Sequence, residues 1–186
     1  MIFAHFVLDV HESNAFIVGC KKTREALLVD AGACDARFAP FLRLHELQLT
    51  TVFITHHHFD HTDGLAAVLD TFGAQPYSFS GNVGGRKTVK CGHGDTVRFG
   101  AIEGRVVHTP GHTPDGISLI LPGMVFTGDA LFAGSVGGTA NDRDAQQQLD
   151  AIRKHIFTLA DDYEIHVGHG PSSTVRVERE FNPFFN

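Results

Sequence analysis

The sequence has no tryptophan, only two tyrosines and two methionines, and three cysteines that form no CxxC pair. An odd number of widely spaced cysteines argues against a disulfide framework and fits a reducing cytosol. The N-terminus lacks a charged-then-apolar signal segment, and no apolar run approaches about 18 residues. We therefore expect a soluble cytoplasmic protein that does not associate with a membrane.

The chain also lacks an excess of positive charge. Fifteen Lys and Arg stand against 21 Asp and Glu, for a formal net charge of -6 with His neutral. A broad nucleic-acid surface needs clustered cations, so this balance argues against a nucleic-acid partner. With 42% hydrophobic residues in 186 positions, the sequence predicts one domain spanning residues 1–186, with phenylalanine as a main component of its core.

Histidine, by contrast, is abundant, with 13 residues in the chain. The densest group lies in Thr55-His-His-His-Phe-Asp-His61, where ligand-type side chains alternate and then stand side by side. The β-branched segment 51–54 predicts a strand before this run, and the apolar segment 65–69 predicts a helix after it. Imidazole and carboxylate on such a tight turn suit a zinc or iron ion, which accepts nitrogen and oxygen ligands.

Hydrophobic periodicity predicts the elements that carry the remaining motifs. Glycine-rich residues 73–100, with short β segments, predict a meander over one edge of a sheet. The predicted strands cover residues 2–10, 15–20, 26–29, 51–54, 102–108, 117–121, 125–127 and 164–167, and the predicted helices cover residues 38–47, 65–72, 143–159 and 173–181.

Three further ligand-type residues follow predicted strands. His112 comes after the strand at 102–108, Asp129 after a second strand and His169 after a third, each beside Gly or Pro. Strand ends in layered folds collect functional groups because a rigid sheet holds their loops. Together with the 56–61 run, they make seven ligands, which would fill two metal positions if one carboxylate bridges them. The candidates are His56, His58, Asp60, His61, His112, Asp129 and His169.

The order of these motifs resembles the metallo-β-lactamase superfamily. HxHxDH at 56–61, TPGHT at 109–113, TGD at 127–129 and GHGP at 168–171 span nearly the whole chain. The closest resemblance is to the short, single-domain glyoxalase-II-like branch. It implies an α+β fold, namely a four-layer αββα sandwich, with the metal site at one rim between the sheets.

The resemblance also implies how the ligands divide between two divalent ions, for which zinc is the first expectation and iron or manganese the alternatives. His57 and Phe59 would be spacers, with His57 pointing away from the metals. Relatives often carry Arg after their Gly-Ser-Val-Gly segment, where this chain has Gly138 and Thr139, so that substrate contact is not carried over. The first ion would be held by His56, His58 and His112, the second by Asp60, His61 and His169, and Asp129 would bridge them.

Such a centre predicts hydrolysis. Two ions, two carboxylates and a bridging hydroxide leave a charge of roughly +1, and coordination lowers the pKa of water from 15.7 to about 7. The metal-bridging hydroxide would attack a carbonyl while the ions stabilise the oxyanion. Asp60 is the candidate catalytic residue, which orients the hydroxide and accepts its proton. The expected substrate is a small thioester, such as a hydroxyacylglutathione.

Other functions on the same scaffold stay open. A persulfide dioxygenase needs a single iron on two His and one carboxylate, here His56, His112 and Asp129. A lactonase or phosphodiesterase is a further alternative, although the acidic net charge argues against RNA. A class B1 β-lactamase is disfavoured, because the resemblance places Asp129 at the position where those enzymes have Cys. A metal-binding module without catalysis is the remaining class.

Residues around the motifs carry weaker predictions. Asp30 is either an acceptor for a ligand histidine or an ordinary turn residue. His108 is expected to be structural rather than a ligand. The phenylalanine-rich tail at 181–185 is expected to cap the core, in a monomer or weak homodimer.

Overall fold

Two six-stranded sheets form the centre of the molecule, as a computed structural model of residues 1–186 shows. The first sheet has the order β1-β2-β3-β4-β5-β8 and the second the order β16-β15-β12-β11-β10-β9. The first contains β1 (Ile2–Val7), β2 (Asn14–Gly19), β3 (Glu25–Val29), β4 (Gln48–Phe53), β5 (Gln75–Ser78) and β8 (Val89–Lys90). The second contains β9 (Thr96–Phe99), β10 (Ile102–His108), β11 (Ile117–Leu121), β12 (Met124–Gly128), β15 (Glu164–Val167) and β16 (Ser173–Thr174).

Five helices and two short ribbons complete the chain. The ribbons are β6 (Asn82–Val83) with β7 (Arg86–Lys87), and β13 (Leu131–Phe132) with β14 (Ser135–Val136). The helices are α1 (Phe38–Leu44), α2 (Phe59–Thr62), α3 (Leu65–Phe72), α4 (Asp142–His155) and α5 (Val175–Phe181). The helix α4 begins at Asn141, whose side chain accepts from the Asp144 backbone N–H as an N-cap.

Side chains of one strand alternate between two faces, and this alternation divides the core into three layers. In β2, Phe16 and Val18 face the second sheet, while Ile17 packs in the cluster that contains α1 and α3. The third cluster lies between the second sheet and the helices α4 and α5. This arrangement is the four-layer αββα sandwich that the family resemblance implied.

Several element boundaries differ from the prediction. The first strand stops at Val7, because residues 8–13 turn back, with His11 and Glu12 at φ 50° and 53°. The helix α1 ends at Leu44, and α4 ends at His155 rather than at 159. Residues 173–174 form a strand before α5, where the prediction had only helix.

The segment 73–100 does not cover a single edge as predicted. Its first strand, β5, pairs in parallel with β4 of the first sheet, whereas β9 pairs with β10 of the second. The segment therefore carries the chain from one sheet to the other. Short glycine-rich strands give little hydrophobic periodicity, so their sheet partners could not be read from the sequence.

The carboxyl ends of β3, β4, β10, β12 and β15 lie at one rim of the sandwich. The pairs β3–β4 and β12–β15 are parallel, and β10 is related to β12 through two antiparallel pairings with β11. The Ile117 N–H donates to the Thr55 carbonyl over 2.9 Å and joins the two sheets there. This rim holds every predicted ligand loop.

None of the helices is long and apolar enough to cross a lipid bilayer. The three cysteines, Cys20, Cys34 and Cys91, form no disulfide with one another.

Candidate metal centre

The first half-site consists of His56, His58 and His112. The Nδ1 atom of His58 lies 3.1 Å from the Nε2 atom of His56 and 3.0 Å from the Nε2 atom of His112. His56 and His58 follow β4 of the first sheet, and His112 follows β10 of the second. The three nitrogens therefore meet only because the two sheets are packed together.

The second half-site consists of Asp60, His61 and His169. Asp60 and His61 lie in the single turn of α2, and His169 follows β15. The Nε2 atom of His169 is 3.2 Å from both Asp60 Oδ2 and His61 Nε2. This half-site also draws its donors from both halves of the chain.

Asp129 lies between the two half-sites. Its Oδ2 is 3.4 Å from His112 Nε2 and 3.6 Å from His169 Nε2, while its Oδ1 is 3.4 Å from His61 Nε2. At Gly168, a Cβ atom would lie only 1.9 Å from Asp129 Oδ1, so the carboxylate occupies space that glycine leaves open. One side chain is thus within reach of both groups.

The donor set fits two metal ions. In a tetrahedral zinc site, with bonds of about 2.0–2.1 Å, neighbouring donors lie about 3.3 Å apart. The separations within both half-sites match this value, and the two groups each keep their ligand atoms within 4.8 Å of one another. Asp129 Oδ1 is buried without a hydrogen-bond partner, an arrangement that proteins avoid unless an ion or water satisfies the group.

A buried carboxylate orients ligands of both half-sites. Asp30 Oδ2 accepts from His61 Nδ1 over 2.9 Å and from the Thr55 hydroxyl over 2.8 Å, and Asp30 Oδ1 accepts from the Thr55 N–H. Because the Thr55 hydroxyl donates to Asp30, its oxygen accepts a hydrogen bond from His56 Nδ1–H, 3.0 Å away. These bonds keep Nε2 of each histidine free for a metal, which is the usual role of such partners. Of the two alternatives stated for Asp30, the structure therefore favours the acceptor for a candidate ligand histidine.

His112 has a partner of another kind. Its Nδ1 donates to the Gly138 carbonyl over 2.7 Å, so a backbone oxygen of the segment 134–139 fixes the ring. Main chain rather than a side chain therefore holds this candidate ligand.

Burial and charge set the protonation of the site. Burial, followed by the neighbouring His61 and His112, lowers the pKa of His56 far below its usual range. Burial and His112 also lower the pKa of His58. Burial opposes protonation of His61 too, but the carboxylates of Asp30, Asp129 and Asp60 outweigh it and raise its pKa to about 9. Burial raises the pKa of Asp129, against the opposing effect of the nearby histidines.

The other histidines lie outside the site. His57 points away from the ligands, as expected: its side chain is 57% exposed and its Nδ1 lies 2.7 Å from Asp115 Oδ1. His108 stacks on Phe79 at a centroid distance of 4.7 Å and bonds the Pro114 carbonyl, in agreement with a structural role. His166 is buried among phenyl rings.

Two supporting residues were missed in the sequence. Asn14 Nδ2 donates to the carbonyls of Val167 and Gly170 and so holds the His169 loop. Gln148 is buried under the segment that follows Asp129. The sequence held a signal for Gln148, because it lies four residues before Ile152 and so on the same face of the helix. For Asn14 it held no signal beyond its place in a turn.

Comparisons with known proteins agree with this fold. The model of the metallo-β-lactamase superfamily matches residues 8–84. The persulfide dioxygenase ETHE1 of mouse mitochondria is 32% identical over 90% of this chain and 69% of its own length. The chain belongs to the metallo-β-lactamase superfamily.

Two further similarities come from different branches. The crystal structure of ETHE1 from Myxococcus xanthus has a TM-score of 0.88 at 32% identity, covering 98% of this chain and 84% of that one. A hydroxyacylglutathione hydrolase of Hydrogenovibrio crunogenus is 32% identical over 78% of this chain. The match spans only 54% of that hydrolase's length. The protein is thus a hydrolase-like metalloenzyme of this superfamily.

Proposed function

We propose that this protein is a dinuclear metallohydrolase that cleaves a thioester, with a hydroxyacylglutathione as the first substrate to test. The observation that carries the proposal is the pair of complete donor groups around Asp129, each with the spacing of a metal site. Zinc suits this nitrogen and oxygen donor set, and iron and manganese are the alternatives.

His56, His58 and His112 would hold the first ion, Asp60, His61 and His169 the second, and Asp129 both. Ions bound there lower the pKa of water and polarise a carbonyl oxygen. The shared carboxylate fixes the separation of the half-sites, since both of its oxygens face imidazole nitrogens. Asp30 and Thr55 keep the ligand histidines in the required tautomer.

Asp60 is the proposed proton acceptor. Its Oδ2 faces His61 and His169 at 3.7 and 3.2 Å, which leaves Oδ1 to orient the attacking water and take its proton. A thiolate is a stable leaving group, so thioester cleavage requires no strong general acid. Thioester cleavage therefore fits this site, where the polar groups around the proposed ions are the candidate ligands and the residues that accept hydrogen bonds from them.

The test is release of free thiol from S-lactoylglutathione by zinc-loaded protein, followed with a thiol-reactive dye. We expect turnover that disappears in the His56→Ala variant, because that variant loses a first half-site ligand. Activity of His56→Ala near that of the native protein would contradict the proposal. If the protein hydrolyses lactones or phosphodiesters but no thioester, the proposed thioester substrate is wrong, and the substrate is a lactone or a phosphodiester.

A mononuclear iron persulfide dioxygenase is the second candidate, since the two ETHE1 proteins match 90% and 98% of this chain, against 78% for the Hydrogenovibrio crunogenus hydrolase. It would use two histidines and one carboxylate, such as His56, His112 and Asp129. If this candidate is correct, iron-loaded protein supplied with glutathione persulfide will consume O₂, and metal analysis will find one iron per chain. Two ions with thiol release and no O₂ uptake would exclude this candidate.

A further inference from the structure

The helix α4 carries one polar side chain where its buried face calls for an apolar one. Gln148 is 1% exposed and lies one turn before Ile152, which is fully buried against the second sheet. Burying an amide is unfavourable unless its hydrogen bonds are made within the protein. An interaction specific to this position is therefore expected.

Both N–H groups of Gln148 donate to backbone carbonyls around the first half-site, whereas its Oε1 atom is buried without a hydrogen-bond partner. The Nε2 atom lies 2.9 Å from the Ala130 oxygen and 2.9 Å from the Gly137 oxygen. Ala130 follows Asp129 directly, and Gly137 precedes Gly138, whose carbonyl accepts from His112. One amide thus ties together the two ends of the segment 130–137.

The third contact is with the loop of His112 itself. A Cβ atom on Gly111 would lie 2.4 Å from Gln148 Cβ, so the backbone just before His112 rests directly on this side chain. A Cβ on Gly137 would lie 3.1 Å from His112 Cγ, so the segment that Gln148 holds packs against the imidazole ring. His112 is enclosed by backbone that Gln148 positions on two sides.

We propose that Gln148 is a positioning residue for the metal centre, which sets the placement of His112, a candidate ligand of the first half-site only, through the backbone on either side of its ring. This inference rests on the proposed two-ion centre. It predicts a selective effect: the ion at His56, His58 and His112 depends on Gln148 more than the ion at Asp60, His61 and His169 does.

The test replaces Gln148 with Met, which has a similar length and no N–H donor. Zinc is titrated into metal-free protein against a chromophoric chelator, which gives a Kd for each of the two ions. We expect the variant to bind one ion about 10–100-fold more weakly, the usual effect of removing a supporting contact. Anomalous density from crystals with one equivalent of zinc should then place the retained ion at the second half-site.

Gln147→Met is the matched control, because Gln147 is the exposed neighbour on the same helix. It should leave both Kd values within twofold of those of the native protein. Gln148→Glu should weaken the first half-site at least as much as Gln148→Met, since a carboxylate would face two carbonyl oxygens. If Gln148→Met does not fold, Gln148→Asn replaces it, because its shorter stem cannot reach both carbonyls.

Unchanged Kd values in the Gln148 variants would overturn the inference, and so would an equal loss at both half-sites. A purely structural role lowers the thermal stability of the metal-free protein without changing the ratio of the two Kd values. Failure of the native protein itself to bind two ions would instead contradict the proposed centre.

Discussion

The two half-sites contain similar donors but are supported in different ways. In the second, the ring of His61 bonds a buried carboxylate, Asp30, and its pKa rises to about 9. In the first, His56 bonds a hydroxyl and His112 a backbone carbonyl, both neutral acceptors, and the pKa of His56 is lowered. Burial alone does not set the charge of a buried histidine, because a neighbouring carboxylate can reverse its effect.

The largest effect is expected where the half-sites meet. Asp129→Asn removes the only carboxylate within 4 Å of histidines from both groups. Both ions should be lost and thioester turnover should fall by more than about a thousandfold, because activation of water and oxyanion stabilisation disappear together. Metal analysis and initial rates measure this. Asp150→Asn, on the exposed face of α4, is the control. A variant that keeps both ions would show that the half-sites are independent.

A smaller effect separates the two kinds of support. In Asp30→Asn, Oδ1 still accepts from the Thr55 N–H, so an NH₂ group faces His61 Nδ1. The proton of His61 must then move to Nε2, the nitrogen that faces Asp60 and His169. We expect affinity at the second half-site to fall about 10–100-fold.

Thr55→Val makes the complementary change, since it removes only the hydroxyl between Asp30 and His56. It should weaken the first half-site more than the second. Zinc titrations of both variants give the two Kd values. A larger loss at the first half-site than at the second in Asp30→Asn, or the reverse in Thr55→Val, would contradict the distinction between carboxylate and hydroxyl support.

His166 provides a buried histidine that has no role in the metal centre. Burial and nearby His5 lower its pKa to about 4, whereas an unfolded histidine has a pKa near 6.5. The unfolded chain therefore takes up a proton first, and stability is lost as the pH falls from about 6.5 towards 4. Between pH 7 and pH 5 the loss should be about 2 kcal/mol.

The measurement is urea unfolding of metal-free protein at both pH values. His166→Gln, which can keep the bond to the Ser172 hydroxyl, should lose about 2 kcal/mol less than the native protein over this range. His11→Gln, at an exposed position away from His166, is the control and should retain the native pH dependence. If His166→Gln showed the same pH dependence as the native protein, the loss of stability at low pH would come from the candidate metal ligands and not from His166.

The smallest effect is expected outside the half-sites. The His57–Asp115 pair joins the loops of His58 and His112, but the His57 side chain is 57% exposed. Exposed ion pairs contribute about 0–1 kcal/mol, so Asp115→Asn should change thioester turnover less than about threefold. Initial rates and metal content check this. A loss of the first ion would show that this exposed pair supports the half-site.

Much of this architecture could be predicted from the sequence, for particular reasons. Segment 51–54 and the apolar helix after it bracket the 56–61 run, and their periodicity is strong. The carboxyl ends of β10, β12 and β15 meet at one rim, so His112, Asp129 and His169 approach that run as expected. Their role as metal ligands remains a prediction.

What the sequence did not reveal are contacts between distant segments. The split of 73–100 between two sheets depends on pairings that short strands do not specify. The bonds of Asn14 to the His169 loop and of Gln148 to Ala130 and Gly137 join residues separated by 11 to 156 positions. Such bonds depend on how the layers pack, and local hydrophobic periodicity carries no information about that packing.

The most direct test of the two-ion centre is an anomalous difference map of the zinc-loaded crystal. We expect two peaks, one within bonding distance of His56, His58 and His112, the other within bonding distance of Asp60, His61 and His169, and both next to Asp129. A single peak, or peaks away from these side chains, would contradict the dinuclear centre on which the proposed hydrolysis depends.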